Sequence, residues 1–196
     1  MREILRLALI LFTISAITAF LLGGTNYVTK DLIAEQIRIQ NESARKVVLK
    51  DADTFEQMDA NELKTLIDGL GFENPDIIEE AYIGKKGTDI IGYTFKSLPK
   101  GYGGPVTVLT GISTDGTITG IQIVSHTETP GLGAKSTDPA FKGQFEGLTA
   151  TEPVTVIKSG SAQGNEVNAI TGSTITTQAV TNGVNASIEV FGAVSK

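Results

Sequence analysis

From Leu7 to Leu22 every residue is apolar except Thr13, Ser15 and Thr18, and the pattern fades through Gly23, Gly24 and Thr25 to Tyr27 and Val28. A helix needs roughly 20 such residues to cross the hydrocarbon core of a bilayer. Isolated Ser and Thr are admissible there because their hydroxyls bond back to helix carbonyls. A core helix of a soluble domain would carry an apolar stripe with polar residues opposite, whereas this run is apolar on all faces. A cleaved signal peptide would have a shorter run followed by a small-x-small site, and residues 19–27 make a poor one. The favoured reading is a cytoplasmic start and retained transmembrane helix over residues 1–28. Arg2 and Arg6 precede the run, so the positive-inside bias keeps the N-terminus cytoplasmic and sends the rest of the chain across the cell membrane.

The remainder of the chain is large enough to fold. There are 196 residues in all, 40% of them hydrophobic, which suits one ordinary domain behind the anchor. The formal net charge is −6 and no block of Lys and Arg could track a phosphate backbone, which sets nucleic acid aside as a partner. There is no cysteine and a single histidine, His126. The chain therefore lacks thiolates for an iron–sulfur cluster, disulfides, and a multi-histidine metal site. Redox activity, if present, calls for an organic cofactor.

Thr29 to Leu49 reads as a stalk helix, residues 29–50, with Leu32, Ile33, Ile37, Ala44, Val47 and Val48 near one helical stripe. A shorter helix is expected over Asn61 to Leu70, capped by Asn61 and ended by Gly71. Beyond it, Glu79 to Ile83, Asp89 to Ser97, Val106 to Ile112 and Thr117 to Ser125 are short runs rich in Val, Ile, Thr and Tyr, separated by turn residues such as Asp115-Gly116. These predict an antiparallel meander, with a further strand at Val154 to Lys158. Ala179, Val180, Gly183, Val184, Ser187, Ile188 and Phe191 recur at steps of three and four and predict a C-terminal helix on that sheet, starting at Ser173 to Thr176. The expected fold is α+β, an antiparallel sheet with packed helices, occupying residues 51–196.

The start of that last helix has chemistry as well as structure. A helix N-terminus offers unpaired amides and the positive end of a dipole, which favour a phosphate. Thr171-Gly172-Ser173-Thr174 puts small residues and hydroxyls there. Taken alone, the same residues are more often plain caps.

The run Ile170-Thr171-Gly172-Ser173-Thr174-Ile175-Thr176-Thr177 resembles the attachment motif of the covalent FMN-binding domain family. That family is shared by the G subunit of the Rnf ferredoxin:NAD oxidoreductase and the C subunit of the sodium-pumping NADH:quinone reductase. A second stretch, His126-Thr127-Glu128-Thr129-Pro130-Gly131-Leu132-Gly133, looks like the family's His-x-Glu-Thr-Pro-Gly-Leu-Gly loop. The two motifs stand in the family's order behind an anchor. The resemblance covers essentially the whole chain, with residues 90–191 bearing the motifs. It departs at Asn168, where the family often has an acidic residue, and at Ser173, where Ala is usual.

The resemblance implies FMN held through a phosphoester on Thr174, with Thr171, Gly172 and Ser173 giving close backbone approach and hydroxyl or amide contacts. Thr176 and Thr177 are either further phosphate contacts or ordinary first-turn residues. The loop Glu128, Thr129, Pro130, Gly131, Leu132, Gly133 is expected to fold over the flavin ring, with Leu132 against one face; Glu128 either bonds the flavin or holds the loop. Tyr102, in the turn Lys100 to Pro105, is a further candidate near the cofactor. His126 reads as a structural hydrogen-bonding residue in preference to a proton relay. No residue is expected to be catalytic in its own right, and none to bind a metal.

The implied function is electron transfer within an ion-translocating ferredoxin:NAD oxidoreductase. Its implied partners are the other membrane and redox subunits, membrane lipid, and a flavin transferase that takes FAD as donor and uses magnesium. The alternatives are the quinone-reductase C subunit, a membrane-tethered assembly or binding subunit without flavin, and a stand-alone extracellular flavin carrier.

Overall fold

The structure is a computed structural model that describes residues 1–72 and 74–195. The chain divides into two compact units, Met1–Asn41 and Glu42–Lys196. From Arg2 onward the first is helical and belongs to α1, Arg2–Val48. Its apolar window has none of its surface buried in the protein. Phe12, Phe20 and Leu22 are among the side chains that stand exposed. Thr13, Thr18, Thr25 and Thr29 each donate to the carbonyl four residues back, at 2.8–3.0 Å. Apolar side chains facing outward with hydroxyls satisfied inside the helix fit a single-pass membrane anchor.

The second unit is built on a five-stranded antiparallel sheet in the order β1-β2-β3-β4-β5, as the sequence predicts for its last four strands. These are β1 Thr54–Gln57, β2 Ile78–Lys86, β3 Asp89–Ser97, β4 Val106–Ser113 and β5 Ile118–His126. The helix α2, Ala60–Leu70, leads into β2; its cap is Asp59, which accepts from the N–H of Asn61 and Glu62, and not Asn61 as expected. Asp59 wins because its acceptor lies before the first turn, where the free amides point. Gly71, with φ 70, closes the helix as predicted.

Val106, Val108 and Ile112 of β4 join the main core with Phe95, Phe145, Val180 and Val184. On the opposite face Leu109 packs with Ala44 and Val48 from the end of α1. Arg45 is held there too, its guanidinium 3.9 Å above the Tyr82 ring and 3.9 Å from Glu80 Oε2. Strand β4, second from the edge of the sheet, is therefore covered on both sides, which explains why every residue from Val106 to Ile112 is buried although Thr107, Thr110 and Gly111 are among them.

Two short strands lie apart: β6 Thr155–Ile157 pairs in parallel with β7 Glu166–Asn168. The short helix α3, Pro139–Lys142, carries Phe141, which meets Phe145 edge-on with centroids 5.5 Å apart.

The last helix, α4, spans Thr174–Val194 and is buried over most of its circumference. Ile175, Gln178, Asn182 and Glu189 form its exposed strip. Its approach to the sheet is set at Gly183, where an added Cβ would lie 2.5 Å from Ser97 Oγ and 3.0 Å from Pro99 Cγ. That contact brings α4 against the segment joining β3 to β4. Gly183→Val is expected to force the helix off Pro99 and to cost roughly 2 kcal/mol of stability. Thermal unfolding of the detergent-solubilised chain checks it, and an unchanged midpoint contradicts the close packing.

Candidate functional site

Three segments meet at the N-terminus of α4: the turn Lys100 to Pro105 between β3 and β4, the stretch after β5, and the approach to α4 itself. Each is shaped by its own residues. Pairing of β4 with β5 shifts between Thr107↔Ser125 and Val108↔Ile123, leaving Val124 as an extra residue on β5. Such a bulge re-aims the chain that follows it. The strand ends at His126, whose Nδ1 accepts the N–H of Glu128 at 3.2 Å. His126 thus serves as a hydrogen-bonding residue at the strand end. Beyond it a tight 3-10 turn, Gly133–Thr137, follows the glycine-containing loop.

Before α4 the chain turns at Ile170 to Ser173, closed by the Ser173 N–H donating to Ile170 O at 2.9 Å. Gly172 occupies the third position with φ 77, a conformation that glycine adopts without strain. Thr177 locks this turn from inside. Its hydroxyl donates to Ser173 O and accepts the Ile170 N–H, both at 3.0 Å.

Glu128 joins the three segments. It is 6% exposed. One carboxylate oxygen, Oε1, accepts the N–H of Tyr102 at 2.8 Å and of Gly103 at 3.2 Å. The other, Oε2, accepts the hydroxyl of Thr176 at 2.7 Å. Thr176 Oγ1 is in turn 2.8 Å from Ser173 Oγ. A hydroxyl has one hydrogen, and that of Thr176 goes to the carboxylate, so Ser173 donates to Thr176.

Glycines make room for this network. A Cβ at Gly133 would lie 2.5 Å from Glu128 Oε2 and 2.9 Å from Thr176 Oγ1, and one at Gly101 would run into Glu128 Oε1. Thr127 also donates to Gly103 O at 3.1 Å.

Between these segments lies an open cleft of about 590 Å3, within the usual range of small-molecule sites. Tyr102, Glu128, Thr129, Leu132, Gly133, Gly172, Ser173, Thr174 and Thr176 line it, as does Ile175, which sequence reasoning did not single out. Its signal was an apolar side chain in the first turn on the exposed strip of the helix. Thr171, Pro130, Gly131 and Thr177 are not among the lining residues. Thr177 is wholly buried with its hydroxyl satisfied internally, and Thr176 spends its hydrogen on Glu128. Neither hydroxyl is therefore free to donate to a ligand. The amides of Thr174, Ile175 and Thr176 have no protein acceptor among the described residues, as expected for the first turn of a helix.

Comparison with known proteins points the same way. Residues 101–189 match the FMN-binding domain family and residues 1–48 the RnfG N-terminal region. Over its full length the chain is 48% identical to the G subunit of the Na+-translocating ferredoxin:NAD+ oxidoreductase complex of Acetobacterium woodii, covering 95% of that protein. It is 34% identical, over 88% of its length and 83% of the relative, to the G subunit of the proton-translocating complex of Clostridium ljungdahlii. Against the G subunit of the ion-translocating oxidoreductase complex of Methanosarcina acetivorans the identity is 33%, over 98% of the chain and 96% of the relative. Among solved structures, Shewanella oneidensis NqrC superposes with a TM-score of 0.59 at 17% identity, over 80% of this chain and 98% of that one. The C subunit of the Na+-translocating NADH-quinone reductase of Parabacteroides distasonis gives 0.52 at 18%, over 80% and 94%. At these identities the two structures speak for the fold alone.

Removing the Glu128 carboxylate leaves three donors without their acceptor. Glu128→Ala is expected to cost about 3 kcal/mol and to release the turn at Lys100. Faster tryptic cleavage after Lys100 in the folded variant is the diagnostic readout; an unchanged cleavage rate speaks against the tie.

Proposed function

Because the chain belongs to the family of G subunits of ion-translocating ferredoxin:NAD+ oxidoreductase complexes, we propose that it is the membrane-anchored flavin subunit of such a complex, with FMN bonded through its phosphate to Thr174. The observation that carries this is the position of Thr174: on the first turn of α4, half-buried, lining the cleft beside three amides without a protein acceptor. A phosphate at that place is favoured by the amides and by the dipole of a helix of 21 residues.

The residues present fit the cofactor. Gly172 and Gly133 bring backbone to the edge of the cleft, Leu132 lies over the Gly172 turn, and Tyr102 and Ile175 offer apolar surface for a flat ring. When bound, FMN supplies the one- and two-electron redox chemistry that no side chain here can provide. The chain's own part is to hold that group still, shield part of it from water and shape its electrostatics.

Attachment is a transfer reaction in which Thr174 is acceptor and a separate flavin transferase the catalyst. Thr174 Oγ replaces AMP at the flavin-proximal phosphorus of FAD. The Oγ–P bond forms, the P–O–P bridge breaks, and the hydroxyl proton leaves with AMP. Asn168 keeps its place before the motif without the family's usual charge.

The anchor occupies residues 1–28, with the N-terminus in the cytoplasm and the FMN-binding domain, residues 51–196, on the far side. Arg2 and Arg6 support this orientation. Covalent attachment suits that location, since a tether keeps the cofactor's effective concentration high where a dissociated one would be lost. Electrons are exchanged with the other redox subunits, while membrane lipid surrounds the anchor. The G-subunit assignment is preferred to the quinone-reductase C subunit on full-length relatives and on the N-terminal region.

Intact-mass measurement of the protein made in cells with a competent transferase tests site and cofactor together. The chain is expected to gain the mass of FMN less one water, with the gain lost in Thr174→Ala and kept in Ser173→Ala. An unmodified chain supports the flavin-free assembly subunit instead. The absence of cysteine allows an orientation test, because Ser161→Cys introduces a lone thiol on an exposed residue. Labelling by a membrane-impermeant maleimide in intact cells is expected, and protection until lysis contradicts the topology.

A further inference from the structure

A serine at the N-cap ordinarily turns its hydroxyl oxygen onto the amide two or three positions on. Ser173 holds that position on α4 and makes no such bond. Its hydroxyl is committed elsewhere: it donates to Thr176 Oγ1, which donates to Glu128 Oε2. All three residues are buried, at 8%, 0% and 6% exposure, so water has little access to these bonds even though the residues line the cleft. The amides that Ser173 would otherwise cap are those of Ile175 and Thr176, which with Thr174 border the cleft.

We propose that Glu128 and Thr176 are positioning residues whose task is to keep the first turn of α4 uncapped, so that its amides stay available to the phosphate of the group on Thr174. This rests on the functional reading above and deepens it. The relay has a direction. Glu128 takes the Thr176 hydrogen, which leaves Thr176 Oγ1 as an acceptor for Ser173 and draws the Ser173 side chain away from its own helix. Two consequences separate this role from mere support of the fold. Removing the Thr176 hydroxyl frees Ser173 to cap, closing the amides. Removing the Ser173 hydroxyl as well reopens them, although a second hydrogen bond has been deleted.

The test uses the full chain in detergent, prepared without flavin transferase for amide exchange and with it for intact mass. In the wild type the amides at 174–176 are expected to exchange within about tenfold of an unstructured peptide. Thr176→Val slows the amide at 175 or 176 by about fivefold, the worth of a serine cap, and lowers the modified fraction at early times by a comparable factor. Thr176→Ser behaves as wild type. The double variant Thr176→Val with Ser173→Ala recovers both fast exchange and modification. If Thr176→Val does not fold, Thr176→Ala takes its place in both the single and double variants.

The proposal is overturned if the single variant leaves exchange unchanged. It is equally overturned if the double variant, folded by circular dichroism, is modified as poorly as the single one. A wild type that never gains mass sinks the flavin reading, and the exchange arm still decides whether the relay holds the turn open.

Discussion

Two oxygen atoms of one buried carboxylate tie together segments far apart in sequence. Through Oε1, Glu128 holds the turn between β3 and β4; through Oε2 it holds the first turn of α4. Burying a carboxylate is expensive unless it is fully bonded, and here three donors converge on it. The arrangement is consequently all-or-none: displacing any one segment leaves a buried acceptor short of a partner. The cleft inherits its shape from that requirement, since the same segments form its walls. Gly101 and Gly133 follow from it as well, because any side chain there would occupy the space of the carboxylate or of its partner.

Among the described residues the lining of the cleft contains no Lys or Arg, and its charged side chain, Glu128, is bonded into the wall. An anion placed there would be met by amides, hydroxyls and a helix dipole, and not by a counter-charge. Those interactions orient well but are individually modest. A covalent bond makes that weakness harmless, since retention no longer depends on affinity. The local design and the proposed attachment are thus mutually consistent: the protein supplies geometry, and the proposed ester would supply permanence.

Much of the fold was legible because its periodicities are clean. β3 shows as Asp89 to Ser97, matching the expected bounds, and the helical repeat after Thr174 locates α4. What escaped notice was structure whose pattern is short or made elsewhere. β1 has four residues, mostly exposed, too few to show alternation. β7 exists through its pairing with β6, a partnership that no local signal announces. Asp59 caps α2 where the sequence suggests Asn61, because boundaries so close together cannot be ranked by propensity. At the site, the motif residues that line the cleft, Thr174, Ser173, Leu132 and Glu128 among them, could be singled out from the sequence by resemblance. The role of Glu128 could not be, because whether a carboxylate faces a ligand or its own backbone depends on tertiary packing. Thr176 and Thr177 look alike in sequence; one rotation of about 100° along the helix puts the first beside Glu128 and the second inside the turn before α4.

The mouth of the cleft is rimmed by side chains that folding leaves uncovered: Tyr102 is 71% exposed, Ile175 57% and Leu132 45%. An enzyme that must sequester a reactive substrate would close such an opening with a lid. A relay station has the opposite need, because whatever delivers or collects charge has to come near without the carrier ever leaving its seat. An apolar lip serves that traffic: it sheds water cheaply when another surface arrives and offers no fixed charge to make the visitor linger.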